Sequence, residues 1–108
     1  MNLFIVGYGL SGSFGGINNY EVIKAKSLSN AETHAWELAC EYYENYVGMY
    51  GLRDLDEIIE DEDCSEEDAE EIYSDEREDW LDYNAIIYTK EDEERLIGGG
   101  YSFTNKYK

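Results

Sequence analysis

Alternating and helical hydrophobic patterns divide the chain into strands at its two ends and helices in its middle. The apolar run 3–6 predicts a first strand, a glycine-rich stretch over 7–16 ends it, and alternation over 20–26 predicts a second. We therefore expect a β-hairpin with a long, mobile loop. A third strand is predicted over 83–89. A charged turn and a run of glycines then separate it from a possible edge strand over 101–108.

The first predicted helix has apolar residues at three- and four-residue steps. Ser29 or Asn30 can cap its start, and Gly48 and Gly51 suit a left-handed cap near its end. It carries enough apolar residues to pack on two sides. Its predicted apolar positions are Ala31, Ala35, Trp36, Leu38, Ala39, Cys40, Tyr42, Tyr43, Tyr46 and Val47.

Two more helices are predicted after residue 52. Leu55, Ile58 and Ile59 give a short amphipathic helix. Ser65, with Asp68 three residues later, resembles a capping box that opens a longer helix through about Leu81. The buried face of this longer helix is predicted to hold Ala69, Ile72, Tyr73, Trp80 and Leu81.

These elements predict one α+β domain over residues 1–108. Its antiparallel sheet has three to four strands, and two to three helices pack on one face. A length of 108 residues allows about one domain. Hydrophobic residues make up 43% of the chain and eleven residues are Tyr, which is too much packing material for a disordered acidic tail.

Negative charge changes this picture, because it is large and segregated. The chain has 26 Asp and Glu against 8 Lys and Arg, a formal charge of −18. Residues 52–82 hold seventeen of these acids, and only Arg53 and Arg77 oppose them. Such a charge excludes direct binding to nucleic acid or to an anionic membrane surface, and it favours a basic partner.

Carboxylate rows on these helices are predicted to imitate a phosphate backbone. Two packed helices of about 12 and 17 residues span roughly 25 Å. The fifteen net charges of residues 52–82 then fall at one per ~1.7 Å, the charge density of duplex DNA. Acidic runs are usually solvated faces, but −18 exceeds the magnitude of about 2–8 that solubility requires. The predicted partner-binding residues are Glu60, Asp61, Glu62, Asp63, Glu66, Glu67, Asp68, Glu70, Glu71, Asp75, Glu78 and Asp79.

The acidic segment resembles a class of small phage and mobile-element proteins. The resemblance is carried by the segment 52–82, by Trp80 and Tyr83 near its end, and by the glycine-rich sequence 12–23. That class includes anti-restriction proteins, anti-CRISPR proteins and inhibitors of uracil-DNA glycosylase, several of which imitate DNA. The resemblance implies an inhibitor of a host nucleic-acid-binding protein, with no transfer of individual functional residues.

Motifs for other chemistry fail in their context. The sequence GYGLSG over 7–12 fits the dinucleotide-binding pattern, but a strand rather than a helix follows it. An EF-hand reading from Asp61 places Glu66 where glycine is required and Ile72 where a bidentate glutamate is required. His34 and Cys40 have no partners at catalytic or ligand spacing. We therefore expect no enzyme, no cofactor and no metal.

The favoured hypothesis is a phage-type inhibitor that docks its acidic helices into the basic groove of a CRISPR effector, a restriction enzyme or a repair enzyme. Lacking a basic leader or an apolar run long enough for a membrane span, the sequence predicts the host cytoplasm. A second hypothesis is an acidic adaptor that binds through the glycine loop and Tyr-rich surface, with Phe14 exposed on it. A third, a small-molecule-sequestering protein, is disfavoured because the chain has only eight basic residues.

Overall fold

A mixed four-stranded sheet forms the centre of the fold. The computed structural model describes residues 1–107. Within that range the strands are β1 (Asn2–Leu10), β2 (Gly16–Ala25), β3 (Leu81–Ile87) and β4 (Ser102–Thr104). The helices of the same range are α1 (Leu28–Glu44), α2 (Leu55–Glu62), α3 (Glu66–Trp80) and α4 (Lys90–Gly98), with a short 3₁₀ turn over Gly12–Phe14.

The strand order is β3-β1-β2-β4. β1 pairs antiparallel with both β2 and β3, and β4 runs parallel to β2. The α+β class and the largely antiparallel sheet are therefore confirmed. The last strand is shorter than the predicted 101–108, and Lys108 lies outside the described residues. The molecule is elongated, with principal extents of 51 × 28 × 18 Å.

The β1–β2 connection is tighter than the sequence predicts. β1 continues through Gly7 and Gly9, so these glycines belong to the strand. The prediction of a long, mobile loop over 7–16 was therefore wrong. The reason is a close backbone approach, because a Cβ at Gly9 would overlap the carbonyl oxygen of Gly16. Gly15 and Gly16 then turn the chain with φ of 88° and 85°, which only glycine adopts readily.

Helix α1 covers one face of the sheet. Its N-cap is Ser27 rather than Ser29 or Asn30, because the Ser27 hydroxyl accepts a hydrogen bond of 3.1 Å from the backbone N–H of Asn30. Small side chains at Ala31 and Ala35 are fully buried and let the helix approach the strands closely. They pack there in one cluster with Phe4, Val6, Ile23 and Ala25.

Helix α4 was not predicted, and it covers the other face. The predicted charged turn after β3 is helical because Thr89 caps it, accepting from the Asp92 amide at 3.1 Å. The Thr89 hydroxyl and then Arg95 donate to the Asp92 carboxylate, which lowers the pKa of Asp92. Leu96 packs against Ile5 and Val22, whose side chains alternate with those facing α1. The helices therefore occupy both faces, not one.

A buried carboxylate fixes the C-terminal segment to α4. Glu93 is 3% exposed, and its Oε2 accepts hydrogen bonds of 2.8 Å from the Tyr88 hydroxyl and from the Asn105 amide group. Asn105 follows β4 directly, so this contact positions the parallel edge strand. Hydrogen bonding of this kind is what makes a buried acid tolerable.

Gly9→Ala should lower the free energy of unfolding by about 1–3 kcal/mol, because the added methyl group forces two paired backbones apart. Gly98→Ala is the matched control, since an added Cβ there meets no atom within 4 Å. We expect the control to be neutral or stabilising by up to about 1 kcal/mol. Urea denaturation measures both, and equal midpoints for the two variants would contradict the close approach.

Candidate functional site

Helices α2 and α3, with the residues that cap and join them, form one acidic unit. We call residues 54–80 the acidic helix pair. Asp54 begins α2 with a capping box, in which its carboxylate accepts from the Glu57 amide at 2.8 Å. Ser65 begins α3 by accepting from the Asp68 amide at 3.2 Å. The first turn of each helix holds acidic residues, whose charge the helix dipole favours at that end.

A stripe of mostly apolar residues lies along the inner face of α3. Ala69 is fully buried, and Ser74 is half-buried. Other half-buried residues follow Ala69 at three- and four-residue steps: Ile72, Tyr73, Glu76, Arg77 and Trp80. Most of the acids fall between these positions and therefore point to solvent. In α2 the same division leaves Ile58 buried and its acidic neighbours outside.

All twelve predicted partner-binding residues are exposed, and they lie on these two helices and the link between them. Those of α2 and the link are Glu60, Asp61, Glu62 and Asp63. Those of α3 are Glu66, Glu67, Asp68, Glu70, Glu71, Asp75, Glu78 and Asp79. The structure thus brings the predicted residues together on one unit instead of distributing them around the molecule.

Arg53 supplies the positive charge that links α2 to α3. Its guanidinium donates to Glu76 of α3 through both Nε, at 3.2 Å, and Nη2. It also lies 3.3 Å from Asp61 and 3.3 Å from Glu62 in α2. These bonds, the one to Glu76 foremost, raise the pKa of Arg53. Asp61 and Glu62 are thus the two predicted contact residues that share an internal counter-charge.

Arg77 is directed at aromatic rings. Its guanidinium lies 5.5 Å from the ring centre of Trp36 and 5.8 Å from that of Tyr73. The Trp36 indole in turn donates to the Glu78 carboxylate at 2.8 Å, which joins α1 to α3. The other Lys and Arg residues of residues 1–107 lie in β2 and directly after it, in α4 and after β4: Lys24, Lys26, Lys90, Arg95 and Lys106.

The acidic surface extends to a cleft that sequence reasoning missed. An open cleft of about 550 Å³ lies where the end of α1 meets α2 and α3. Its lining combines carboxylates with apolar and aromatic groups: Glu44, Val47, Asp54, Leu55, Asp56 and Tyr73. The sequence assigned Glu44 to the first helix and gave no signal that its end meets the acidic helices.

An aromatic cluster packs against the end of α3. Phe14 is half-buried, and its ring centre lies 5.4 Å from Tyr46 and 5.8 Å from both Tyr50 and Trp80. The expectation of an exposed Phe14 is therefore wrong, because the turn that follows β1 folds its ring inward. Tyr50 remains 73% exposed and has a positive φ of 55°, uncommon for a residue with a side chain.

The remaining candidate residues are placed as follows. Cys40 is buried in α1, and burial raises the pKa of its thiol, as expected for a core cysteine. His34 lies 3.8 Å from Glu21.

Within residues 1–107, His, Cys, Asp and Glu form no group of three able to hold a metal ion. The helices of that same range include none whose length and apolar character would allow a membrane crossing.

Comparison with protein-family models, curated proteins and solved structures found no match to this chain.

Arg53→Gln should loosen α2 from α3, because Asp61, Glu62 and Glu76 lose the cation that they share. We expect a lower melting temperature and faster amide hydrogen exchange in α2 than in the wild type. Arg95→Gln is the control, because Arg95 is exposed and its one salt bridge within residues 1–107 is to Asp92 of its own helix. Equal melting temperatures and equal α2 exchange in the two variants would argue against a linking role for Arg53.

Proposed function

We propose that this protein is a non-enzymatic, phage-type inhibitor that acts in the host cytoplasm by imitating nucleic acid. Its target is a basic, nucleic-acid-binding defence protein of the host, such as a CRISPR effector or a restriction enzyme. The inhibitor is therefore of the anti-CRISPR or anti-restriction class. The observation that carries the proposal is the set of twelve exposed carboxylates on the acidic helix pair. Asp61 and Glu62 share Arg53, and the other ten carboxylates form no ion pair within residues 1–107, so their charge is available to a partner.

The spacing of the α3 carboxylates supports imitation of a phosphate backbone. A helix of 15 residues is about 22 Å long. Its eight exposed acids fall at about one per 3 Å, close to the one charge per ~3.4 Å of a single DNA strand. Glu67, Glu71 and Asp75 follow one another at four-residue steps, which places their side chains about 5–6 Å apart on one line.

Binding through these groups would occupy the arginines and lysines that a nuclease or effector uses for phosphates. Complementary charge accelerates encounter over a Debye length, about 10 Å at 0.1 M salt. The inhibitor would then compete with DNA or RNA for the same groove, without altering any covalent bond. Because exposed ion pairs carry this contact, added salt should weaken it.

The variant Glu67→Gln/Glu71→Gln/Asp75→Asn should lose capture of basic nucleic-acid-binding proteins from a bacterial lysate. Neutralising this row removes charges that would face the partner and leaves the buried stripe intact. Duplex DNA should displace the wild-type chain from each captured protein in a polarisation assay. Raising NaCl from about 50 to about 300 mM should weaken that binding at least tenfold.

The matched control is Glu32→Gln/Glu37→Gln/Glu41→Gln. It removes the same number of charges from exposed positions of α1. If net charge alone mattered, both variants would lose capture equally. Unchanged capture by the α3 variant, or binding that duplex DNA does not displace, would remove the imitation mechanism.

An acidic adaptor remains the second candidate, and Tyr50 is the observation that favours it. Its ring is 73% exposed beside Met49, at the edge of the aromatic cluster. A strained backbone that holds an exposed aromatic side chain is a reason to suspect a contact surface.

On the adaptor hypothesis, Tyr50→Ala should weaken partner capture by tenfold or more, since aromatic anchors commonly contribute about 2 kcal/mol or more to binding. The α3 charge variant should then bind normally. Tyr107→Ala serves as control, because Tyr107 is exposed and packs against Lys24 far from the cluster. Capture that survives Tyr50→Ala would exclude this surface.

A further inference from the structure

One long edge of the sheet is open. β3 is the outermost strand of the order β3-β1-β2-β4, and within residues 1–107 it pairs with β1 alone. The opposite edge strand, β4, has three residues, whereas β3 has seven. An open edge of this length presents a row of backbone donors and acceptors to any strand that approaches it.

The hydrogen bonds that flank β3 identify the residues whose backbone groups point away from β1, toward the open edge. The Tyr88 amide donates to Leu3 at 3.0 Å, and the Ser11 amide donates to Trp80 at 2.8 Å. Bonded and non-bonded residues alternate in an antiparallel pair, so the even-numbered residues of β3 bond to β1. Tyr83, Ala85 and Ile87 direct their backbone groups away from the sheet. Within residues 1–107, no side-chain or loop hydrogen bond reaches these backbone groups.

The side chains of the same residues form an apolar row. Tyr83, Ala85 and Ile87 share the face that carries α1, because they stand opposite Tyr8, Val6 and Phe4 of β1. Tyr83 is 38% exposed and Ile87 is 65% exposed. The open backbone ladder and the exposed apolar row therefore coincide on one edge.

We propose that a second copy of this chain pairs antiparallel with β3 and joins the two sheets into one of eight strands. The register places Ala85 opposite Ala85 of the second copy, and Tyr83 opposite its Ile87. Tyr83, Ala85 and Ile87 of each copy then exchange both of their hydrogen bonds, so the outward backbone groups of these three residues are satisfied on both edges. Tyr beside Ile is also a favourable cross-strand pair on the α1 face.

A net charge of −18 opposes the association of two copies, and Glu32 of α1 lines a cleft beside Tyr83 at this edge. The positions of the other charges limit this repulsion. β3 contains one charged residue, Asp82, and the proposed register keeps the two copies of Asp82 about 20 Å apart. α3 leads into β3 at Leu81. Antiparallel pairing therefore places the two acidic helix pairs at opposite ends of the shared edge, where their repulsion is weakest. The inference goes beyond the proposed function and does not depend on it.

Sedimentation velocity of the full chain tests the pairing. Across about 5–500 µM protein, the dimer fraction should rise with concentration, and it should be higher at about 500 mM than at about 50 mM NaCl because salt screens the repulsion between copies. Ile87→Glu should be monomeric throughout. Ile97→Glu is the control with the same charge change at an exposed isoleucine of α4, and it should dimerise like the wild type.

Residue-resolved hydrogen exchange of the wild type keeps the test independent of any variant. The amides of Tyr83, Ala85 and Ile87 should exchange about tenfold more slowly when nine-tenths of the chain is dimeric. The amides of Asn84 and Ile86, which bond to β1, should be slow at every concentration. A chain that stays monomeric under all these conditions overturns the proposal. So does a dimer that Ile87→Glu leaves intact, or protection that appears only when another protein is added.

Discussion

Repulsion between carboxylates is the constraint on which the rest of this structure depends. Acids at four-residue spacing in one helix destabilise it by ~0.2–0.5 kcal/mol for each pair. The fold offsets this in ways that leave the outer face charged. Acids occupy the first turns of α2 and α3, where the helix dipole favours them, and Arg53 joins three carboxylates across the two helices. Asp61 and Glu62 share that arginine, and the other predicted contact carboxylates form no ion pair within residues 1–107.

Aromatic packing attaches this charged unit to the sheet. Trp80 contacts Phe14 of the β1–β2 turn, and Tyr73 contacts Tyr43 of α1 at 5.8 Å between ring centres. Burial, with the nearby Tyr73 hydroxyl and Glu76 carboxylate, raises the pKa of Tyr43 to about 12. Large rings bury much surface for each residue, so a few contacts hold α3 without consuming its acids. The high Tyr content and the high acid content of the chain are in this sense two parts of one arrangement.

The sequence predicted most where one pattern dominated. The stripe from Ala69 to Trp80 and the Ser65 cap identify α3, and exposure of its acids follows because so many charges cannot be buried. The sequence failed where contacts between distant residues decide. Gly9 was predicted to be a loop residue because its close approach to Gly16 is not evident from the sequence. Helix α4 was missed because it is short and mostly acidic, so its buried apolar residue, Leu96, gives no helical pattern. The cleft at Glu44 has no local signal at all.

The junction between α3 and β3 couples the acidic face of α3 to the open edge of the sheet at β3. Leu81 ends the helix, its amide still bonded to Arg77, and is also the first residue of the strand. Because no loop separates them, the direction of α3 is fixed relative to the edge of the sheet. The backbone amide of Ser11, directly after β1, donates to the Trp80 carbonyl and fixes the same junction. Whatever pairs with β3 therefore meets the acidic face at a fixed distance and angle. An insertion of glycines between Trp80 and Leu81 would break this geometry while leaving each surface chemically unchanged.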